Sequence, residues 1–483
     1  MTTYETTNDR DQRRERLLTE IFGSGEGADP LARARQSSQI FVRGLDLLTL
    51  DTSDRATGRR LTAVEAYRAY GISKLQEAVR EGSAIISATP DAAGRVLRER
   101  REQLGITKRV VAARSGLQER IIDALEESRR RPVREYERAA RVLGLDERQL
   151  SFQAMPKGNE NVAVRLRTLA DERPSLDSSS VISLAEASWV AMTQIRLEEE
   201  LGLREGGAEN ALARWQSESP GDYTFPPYRV GYAHADELRR EFDLGDSPIP
   251  SMRAFVEKRL GIPVVQTDLH SSIAGATVES AGRRAIVLNI NGQNRNPFVL
   301  RSTLAHEVGH LLFDRPDLLQ ELRVDNYDEL ERRPDAINDF VEQRANAFGI
   351  QLLAPQGAAV EQYLRRRELN IDVLDVFGVS FTAGRYQVWN GMDRKEPLDT
   401  IGQYSPHIEA DWEARERYTV DYHPIRQLAA APSRAGRFSA VVVRSAGEGI
   451  VSWDTAAEWL LCEPGDVQSS ADAVAELFDD VFR

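Results

Sequence analysis

The chain has 483 residues, a mass of 54.1 kDa and a formal net charge of −13, with 41% hydrophobic residues and a mean hydropathy of −0.45. Such a length exceeds one ordinary core and suits roughly two to four domains, and the acidic balance argues against a protein that coats nucleic acid non-specifically. No apolar run approaches the roughly 18 residues of a membrane helix. The polar start Met1–Arg10 is unlike a secretory leader, and the single cysteine, Cys462, excludes an internal disulfide framework or a cysteine metal cluster. A cytoplasmic protein with no membrane partner is expected.

Residues 1–90 read as a helical N-terminal extension. Arg10–Phe22 is an amphipathic pattern closed by a Gly-rich stretch, Thr62 and Glu65 make a capping box, and Gly71 reads as a helix stop. Residues 92–150 carry about five short helical patterns separated by turns. They hold 15 basic against 10 acidic residues, a local balance of +5 in an acidic chain. That is the pattern of a small DNA-reading module joined to something else. Helical patterns continue through 157–222 with a break at Ser178–Ser180, and Pro220–Pro227 reads as a boundary loop. From there the pattern is mixed. Helices are expected at Ala233–Phe242 and Met252–Leu260, strands near Val264–Gln266 and Ala285–Asn289, then helices around Leu300–Phe313 and Asp339–Leu353. The tail offers two β-like runs, Phe438–Arg444 and Ile450–Trp453, before a final helix Ala471–Phe482. The fold expected is multidomain and mainly α. Its segments are 1–90, a helical module 91–155, a helical linker 156–224, an α+β domain 225–395 and an α+β C-terminal domain 396–483.

The most specific signal is Thr303-Leu-Ala-His306-Glu307-Val-Gly-His310-Leu-Leu-Phe313. On a helix, residues four apart share a face, so His306 and His310 can address one ion. Glu307 sits about 100° round the helix, where its carboxylate reaches a water rather than the ion. A divalent ion such as zinc brings that water's pKa toward neutral, and Glu307 can take the proton. A third ligand is needed, and Glu342 is the candidate. It opens a second helical pattern whose apolar face is Ala345, Phe348, Leu352 and Leu353, and small Ala345 would permit close approach to the first helix. A buried, hydrogen-bonded histidine pair with Glu342 at the surface is the bland alternative.

These residues resemble the ImmA/IrrE metallopeptidases over roughly 225–395. The resemblance rests on Arg301–His310, Glu342–Phe348 and Leu352–Pro355, with Gly261–Val264 and Ala285–Asn289 upstream and Phe377–Ser380 downstream. It implies an α+β fold, zinc (manganese as a second choice) held by His306, His310 and Glu342, and Glu307 as general base. Gly349 stands where the family usually has Ala. Candidates for stabilising the oxyanion are His234, His270, His407, His423 and Tyr386, and Ala285–Asn289 is a candidate edge strand for an extended peptide. Cys462 could silence the ion as a thiolate, or simply be a small buried residue.

Leu97–Lys108 reads as a first helix and the start of a second capped by Thr107. Gly116 makes the turn, and Gln118–Glu126 forms a third helix with Ile122 and Leu125 inward. The run resembles the Cro/λ-repressor-like (XRE) helix-turn-helix. That resemblance places Gln118, Glu119, Arg120 and Ala124 toward base edges of a DNA operator, and Lys108, Arg129, Arg130 and Arg131 near phosphates. Glu119, Asp123 and Glu127 would repel phosphates. Together the resemblances imply a DNA-binding regulator with zinc-dependent endopeptidase activity, cutting a protein such as a helix-turn-helix repressor, with a homodimer as a further expectation. The alternative is a non-catalytic regulator whose metallopeptidase fold senses or docks.

Overall fold

The computed structural model describes residues 7–51, 58–87, 89–145, 176–203, 226–280, 283–314, 322–327, 340–402, 410–417 and 431–481. Residues 1–163 with 427–481 form one compact unit and residues 164–426 the other. The described residues are mostly helical, with two small sheets. None of their helices is long and apolar enough to cross a membrane.

The first unit opens with α1 (Thr7–Phe22) and α2 (Pro30–Gln36), the latter capped by Asp29. A sheet follows where a mostly helical extension was expected. Strands β1 (Ile40–Arg43), β2 (Leu47–Leu50), β3 (Arg59–Thr62) and β4 (Ala84–Ile85) pair antiparallel in the order β3-β1-β2-β4. Each is too short to show a period of its own, and pairing partners decide the state. The capping box on α3 (Ala63–Glu81) is present, with Glu65 N bonded to Thr62 Oγ1 and Thr62 N to Glu65 Oε2. Gly71 does not end that helix but kinks it at φ 73°, ψ 171°, a conformation readily open only to glycine. Helices α4 (Ala92–Gln103), α5 (Lys108–Ser115), α6 (Glu119–Glu126) and α7 (Val133–Val142) follow.

The two strands expected in the tail are instead helices, Arg437–Gly447 and Trp453–Leu460, so the described residues 431–481 hold no strand. Val441-Val-Val443 has the composition of a strand. Phe438 to Val443 are all buried, however, and an element apolar all round satisfies its own backbone best as a helix inside a core. Buried polar contacts tie this tail to the N-terminal sheet. On α7, Glu137 forms buried ion pairs with the same sheet, to Arg59 (3.0 Å) and Arg43 (3.5 Å). Arg59 Nε donates to Thr455 Oγ1, and Ser452 N donates to Glu65 Oε2.

The second unit contains α8 (Ser178–Glu200), α9 (Pro227–Glu241) and α10 (Met252–Ala254), which runs on as a π-turn through Arg259. Strands β5 (Val264–Thr267), β6 (Ile273–Ser280), β7 (Arg283–Asn289) and β8 (Leu322–Asn326) form a second sheet in the order β5-β7-β6-β8. β5 lies parallel to β7, and β6 is antiparallel to both its neighbours. Helix α11 (Pro297–Phe313) packs on β6 and β7 and against α12 (Phe340–Leu353). Next come α13 (Gln356–Arg366), a π-turn leading to α14 (Asp375–Phe377), α15 (Phe381–Gly391) and α16 (Ala410–Arg417). One apolar core, from Leu238 and Met252 through Leu304, Val308 and Phe348 to Val388, runs beneath these elements.

Candidate metal centre

Buried hydrogen bonds set the register of α11. Asn296 caps the helix through Phe298 N, and Pro297 takes its first position, where no amide donor is needed. Thr303 Oγ1 donates to Asn294 Oδ1 at 2.9 Å, and Asn294 Nδ2 donates to the carbonyls of Ala274 and Asn289. Arg301 is fully buried. It donates to the Gly378 and Ile249 carbonyls, pairs with Glu416 and lies 4.3 Å over the Trp412 ring.

His306 and His310 consequently face one another, Nε2 to Nε2 at 2.8 Å with rings crossed at 80°. Glu342 arrives from α12 with Oε2 3.4 Å from His306 Nε2 and Oε1 3.5 Å from His310 Nε2. One donor atom of each of the three residues lies within 4.8 Å of the others, and all three are buried. Ligands held at about 2.1 Å around a tetrahedral ion stand roughly 3.4 Å apart. The 3.4 and 3.5 Å separations from Glu342 match that spacing, and two imidazoles with a carboxylate are a donor set for a divalent ion of borderline softness.

The helices approach closely because small residues face each other. A Cβ on Gly309 would stand 2.9 Å from Phe348 Cδ1 and 3.3 Å from Ala345 Cα, and one on Gly349 would stand 3.1 Å from His306 N. The expected role of Ala345 agrees with this geometry, and Gly349 leaves the room that the His306 backbone occupies. Glu307 is wholly buried, its Oε1 only 2.7 Å from where a Cβ on Gly275 of β6 would lie.

Three further charged residues surround the centre that no sequence signal had singled out. Asp314 Oδ2 lies 2.7 Å from His310 Nδ1, fixing which ring nitrogen is turned inward, and Arg344 of α12 donates to the other oxygen of Asp314. Asp325, on β8, puts Oδ2 3.8 Å from His310 Nε2 and 4.0 Å from His306 Nε2. Asp314 was legible in principle, since it stands four residues after His310, at the C-cap of the same helix. Asp325 carried no spacing signal, because strand pairing brings it in.

A cleft of about 820 Å³ opens beside His306, lined among others by Thr303, Tyr327, Asn346, Tyr386 and Trp389. Among the described residues, Tyr386 is thus the one expected oxyanion candidate that lines it. His234 stacks on Phe313 at 4.0 Å, and burial followed by Arg344 lowers its pKa to about 4. His270 is exposed and bonded to Ser272, and both histidines stand apart from the cleft lining. His407 and His423 lie outside the described residues. Tyr327 also lines the cleft, but its hydroxyl donates to the Asn291 carbonyl and accepts from Asn294 N. Burial pushes its pKa up to about 12, so it keeps its proton. Ala285–Asn289 is not an edge. It belongs to β7, paired on both sides, because β8 and β5 take the edges; the edge nearest the histidines is β8. Burial, then Asp466 and Glu463, push the Cys462 thiol to about 11. Without a metal bound to it, the thiol is protonated at neutral pH.

In the first unit, α5 and α6 occupy the residues expected for a second and a third helix. Thr107 caps α5 through Val110 N, Gly116 turns at φ 69°, and Ile122 and Leu125 are buried. Gly94 lets α4 cross the end of α6, since a Cβ there would stand 2.4 Å from the Leu125 carbonyl oxygen. Gln118, Glu119, Arg120, Arg129 and Arg130 are exposed, while Ala124 and Arg131 are half-buried. Lys108 pairs with Asp123 at 2.7 Å and faces Glu126 at 3.6 Å, which raises its pKa. Arg129 pairs with Glu127 and Arg131 with Glu135. Asp123 and Glu127 therefore carry cationic partners of their own.

No protein-family model matches this chain, and no curated protein matches it.

Proposed function

We propose that the chain is a zinc-dependent endopeptidase of the ImmA/IrrE kind joined to a Cro/λ-repressor-like DNA-binding module, and that it cuts a repressor protein to control gene expression. The observation that carries this reading is the convergence of His306, His310 and Glu342 beside buried Glu307 at a cleft wide enough for a peptide. His306, His310 and Glu342 would hold the ion. When bound, such an ion acidifies a water and polarises a carbonyl.

The rest is done by side chains. Glu307 accepts the proton that the attacking water loses, then returns it to the leaving amine. Its burial against Gly275 limits its rotamers and keeps bulk water from its carboxylate. Asp314 holds the His310 ring in the orientation that ligation needs, and Arg344 holds Asp314. The β8 edge offers backbone groups to which an extended peptide can add as a further strand. Tyr386, which lines the same cleft as His306, is the candidate donor to a developing oxyanion. Exposed Gln118 at the N-cap of α6, with Glu119 and Arg120 in its first turn, supports operator reading by the first unit, and the helix-turn-helix class suits a homodimer on two half-sites.

The test compares the proteomes of cells expressing wild type or Glu307→Gln. One protein that persists only with the variant is the substrate, and identical proteomes would overturn the peptidase reading.

A further inference from the structure

The cleft beside His306 has an aromatic wall, of which the proposed hydrolysis uses only Tyr386. Tyr228 and Tyr232 stand four residues apart on α9, Tyr386 and Trp389 three apart on α15, and all four line the cleft. Their rings meet edge to face, Tyr228 with Tyr232 at 6.5 Å and Tyr386 with Trp389 at 6.1 Å. The wall is braced from behind. A Cβ on Gly231 would overlap the Arg344 carbonyl, so α9 settles directly on α12. The Tyr232 hydroxyl donates to Gln387 Oε1 at 2.8 Å, and buried Gln387 donates in turn to Gln351 Oε1 and the Ala354 carbonyl. Trp389 Nε1 donates to the Glu396 carbonyl. Besides His306, the charged lining residues are Arg229, Arg394 and Asp393, all exposed. Asp393 is paired with Lys395 at 3.3 Å. Arg394 lies 4.7 Å over the Trp389 ring, and among the described residues neither arginine has a carboxylate partner. In a chain of net charge −13, this cleft is locally cationic.

We infer that this wall is a specificity subsite, which takes an aromatic side chain of the peptide substrate flanked by an acidic residue whose carboxylate meets Arg229 and Arg394. Aromatic rings bury much apolar area and gain further when they meet other rings edge to face, which the two ring pairs offer. A guanidinium stacked on a ring keeps its N–H donors at the edge, where a carboxylate can reach them. Because the wall is braced by buried hydrogen bonds, little order has to be imposed when a peptide binds. The inference deepens the peptidase reading and rests on it.

The test measures binding rather than turnover. Fluorescence anisotropy follows labelled, end-blocked peptides built on Glu-Phe-Glu, Glu-Ala-Glu, Gln-Phe-Gln and Gln-Ala-Gln as they bind the full chain carrying Glu307→Gln. Glu-Phe-Glu should bind at least about tenfold more tightly than Glu-Ala-Glu. It should exceed Gln-Phe-Gln by roughly two- to fivefold for each exposed ion pair formed, an advantage that salt removes. Adding Tyr228→Ala or Trp389→Ala should erase most of the first ratio, and Arg229→Gln with Arg394→Gln the second. Thermal melts check folding; Tyr228 is 41% exposed, so its variant should melt as its parent does. Equal or absent binding of all four peptides, or ratios that survive these substitutions, would overturn the inference. Tightest binding by a Gln-Phe peptide with a free terminal carboxylate would place the anion at a chain end and overturn the side-chain assignment. Hydrolysis of the same peptides by zinc-loaded wild type separates the two readings. The stated preferences without any cleavage would overturn the peptidase reading and leave a peptide-binding cleft, whereas cleavage without preference would overturn the subsite alone.

Discussion

Removing Asp314 should damage this protein in two separable ways. Its Oδ2 is 2.7 Å from His310 Nδ1, and its other oxygen accepts from Arg344, with both acidic and basic side chains at most 5% exposed. In Asp314→Ala the guanidinium stays buried without its carboxylate, a change that costs about 3–5 kcal/mol. The same substitution frees the His310 ring, and loss of such a partner typically weakens metal binding by about 10- to 100-fold. Adding Arg344→Met removes the stranded charge while keeping most of its volume. The double variant should regain most of the stability, since a buried pair replaced by apolar groups is often neutral. It should still bind zinc as weakly as the single variant. Urea melts of the metal-free proteins give the first quantity, and chelator competition gives the second. If the double variant recovered both stability and affinity, Asp314 would serve only Arg344, and its assignment to His310 would be refuted.

Glu307→Gln should retain bound zinc and lose cleavage, whereas His310→Ala should lose the metal as well; equal metal loss by elemental analysis would sink that division of roles. His234→Phe should flatten the acid limb of stability. The folded pKa of His234, about 4, lies below the ordinary histidine value of 6.5, so its contribution is complete above about pH 6.5 and is lost as pH falls toward 4. After discounting its partial exposure, the difference between the two proteins should change by roughly 2 kcal/mol over that window. Denaturant midpoints from pH 4 to 8 check this, and parallel curves would contradict it. Arg120→Ala should weaken specific operator binding by about 1–3 kcal/mol and leave zinc content unchanged, read by gel shift and elemental analysis. Unaltered operator affinity would remove α6 from the DNA interface.

How much of the fold and the site was legible depended on whether a signal was local. Spacing along one helix placed His306, Glu307 and His310, because 3.6 residues per turn puts residues four apart on one face whatever surrounds them. Capping chemistry likewise marked Thr62–Glu65, Thr107 and Gly116, since those bonds span only three or four residues. Glu342 needed a further step, the small residue Ala345 on the same helix, and the close contact with Gly309 shows why that clue worked. The tail departs from its sequence pattern for the complementary reason. Valine composition favours a strand only where a sheet is available, and burial on every side made Phe438–Val443 helical. Short β1 and β2 had no pattern of their own and exist through pairing. Ala285–Asn289 has the same apolar sequence at an edge or in the middle, so only the neighbours β5 and β6 decide that it is internal. Asp325 reaches the histidines through the β6–β8 register, and Arg344 reaches Asp314 through helix packing. Such long-range contacts depend on the free energy of the whole packed unit, which no window of sequence contains. The sequence determined that two histidines and a glutamate share one helix; the tertiary structure decided which carboxylates surround them, because strand pairing and helix contact bring together residues that the chain keeps apart.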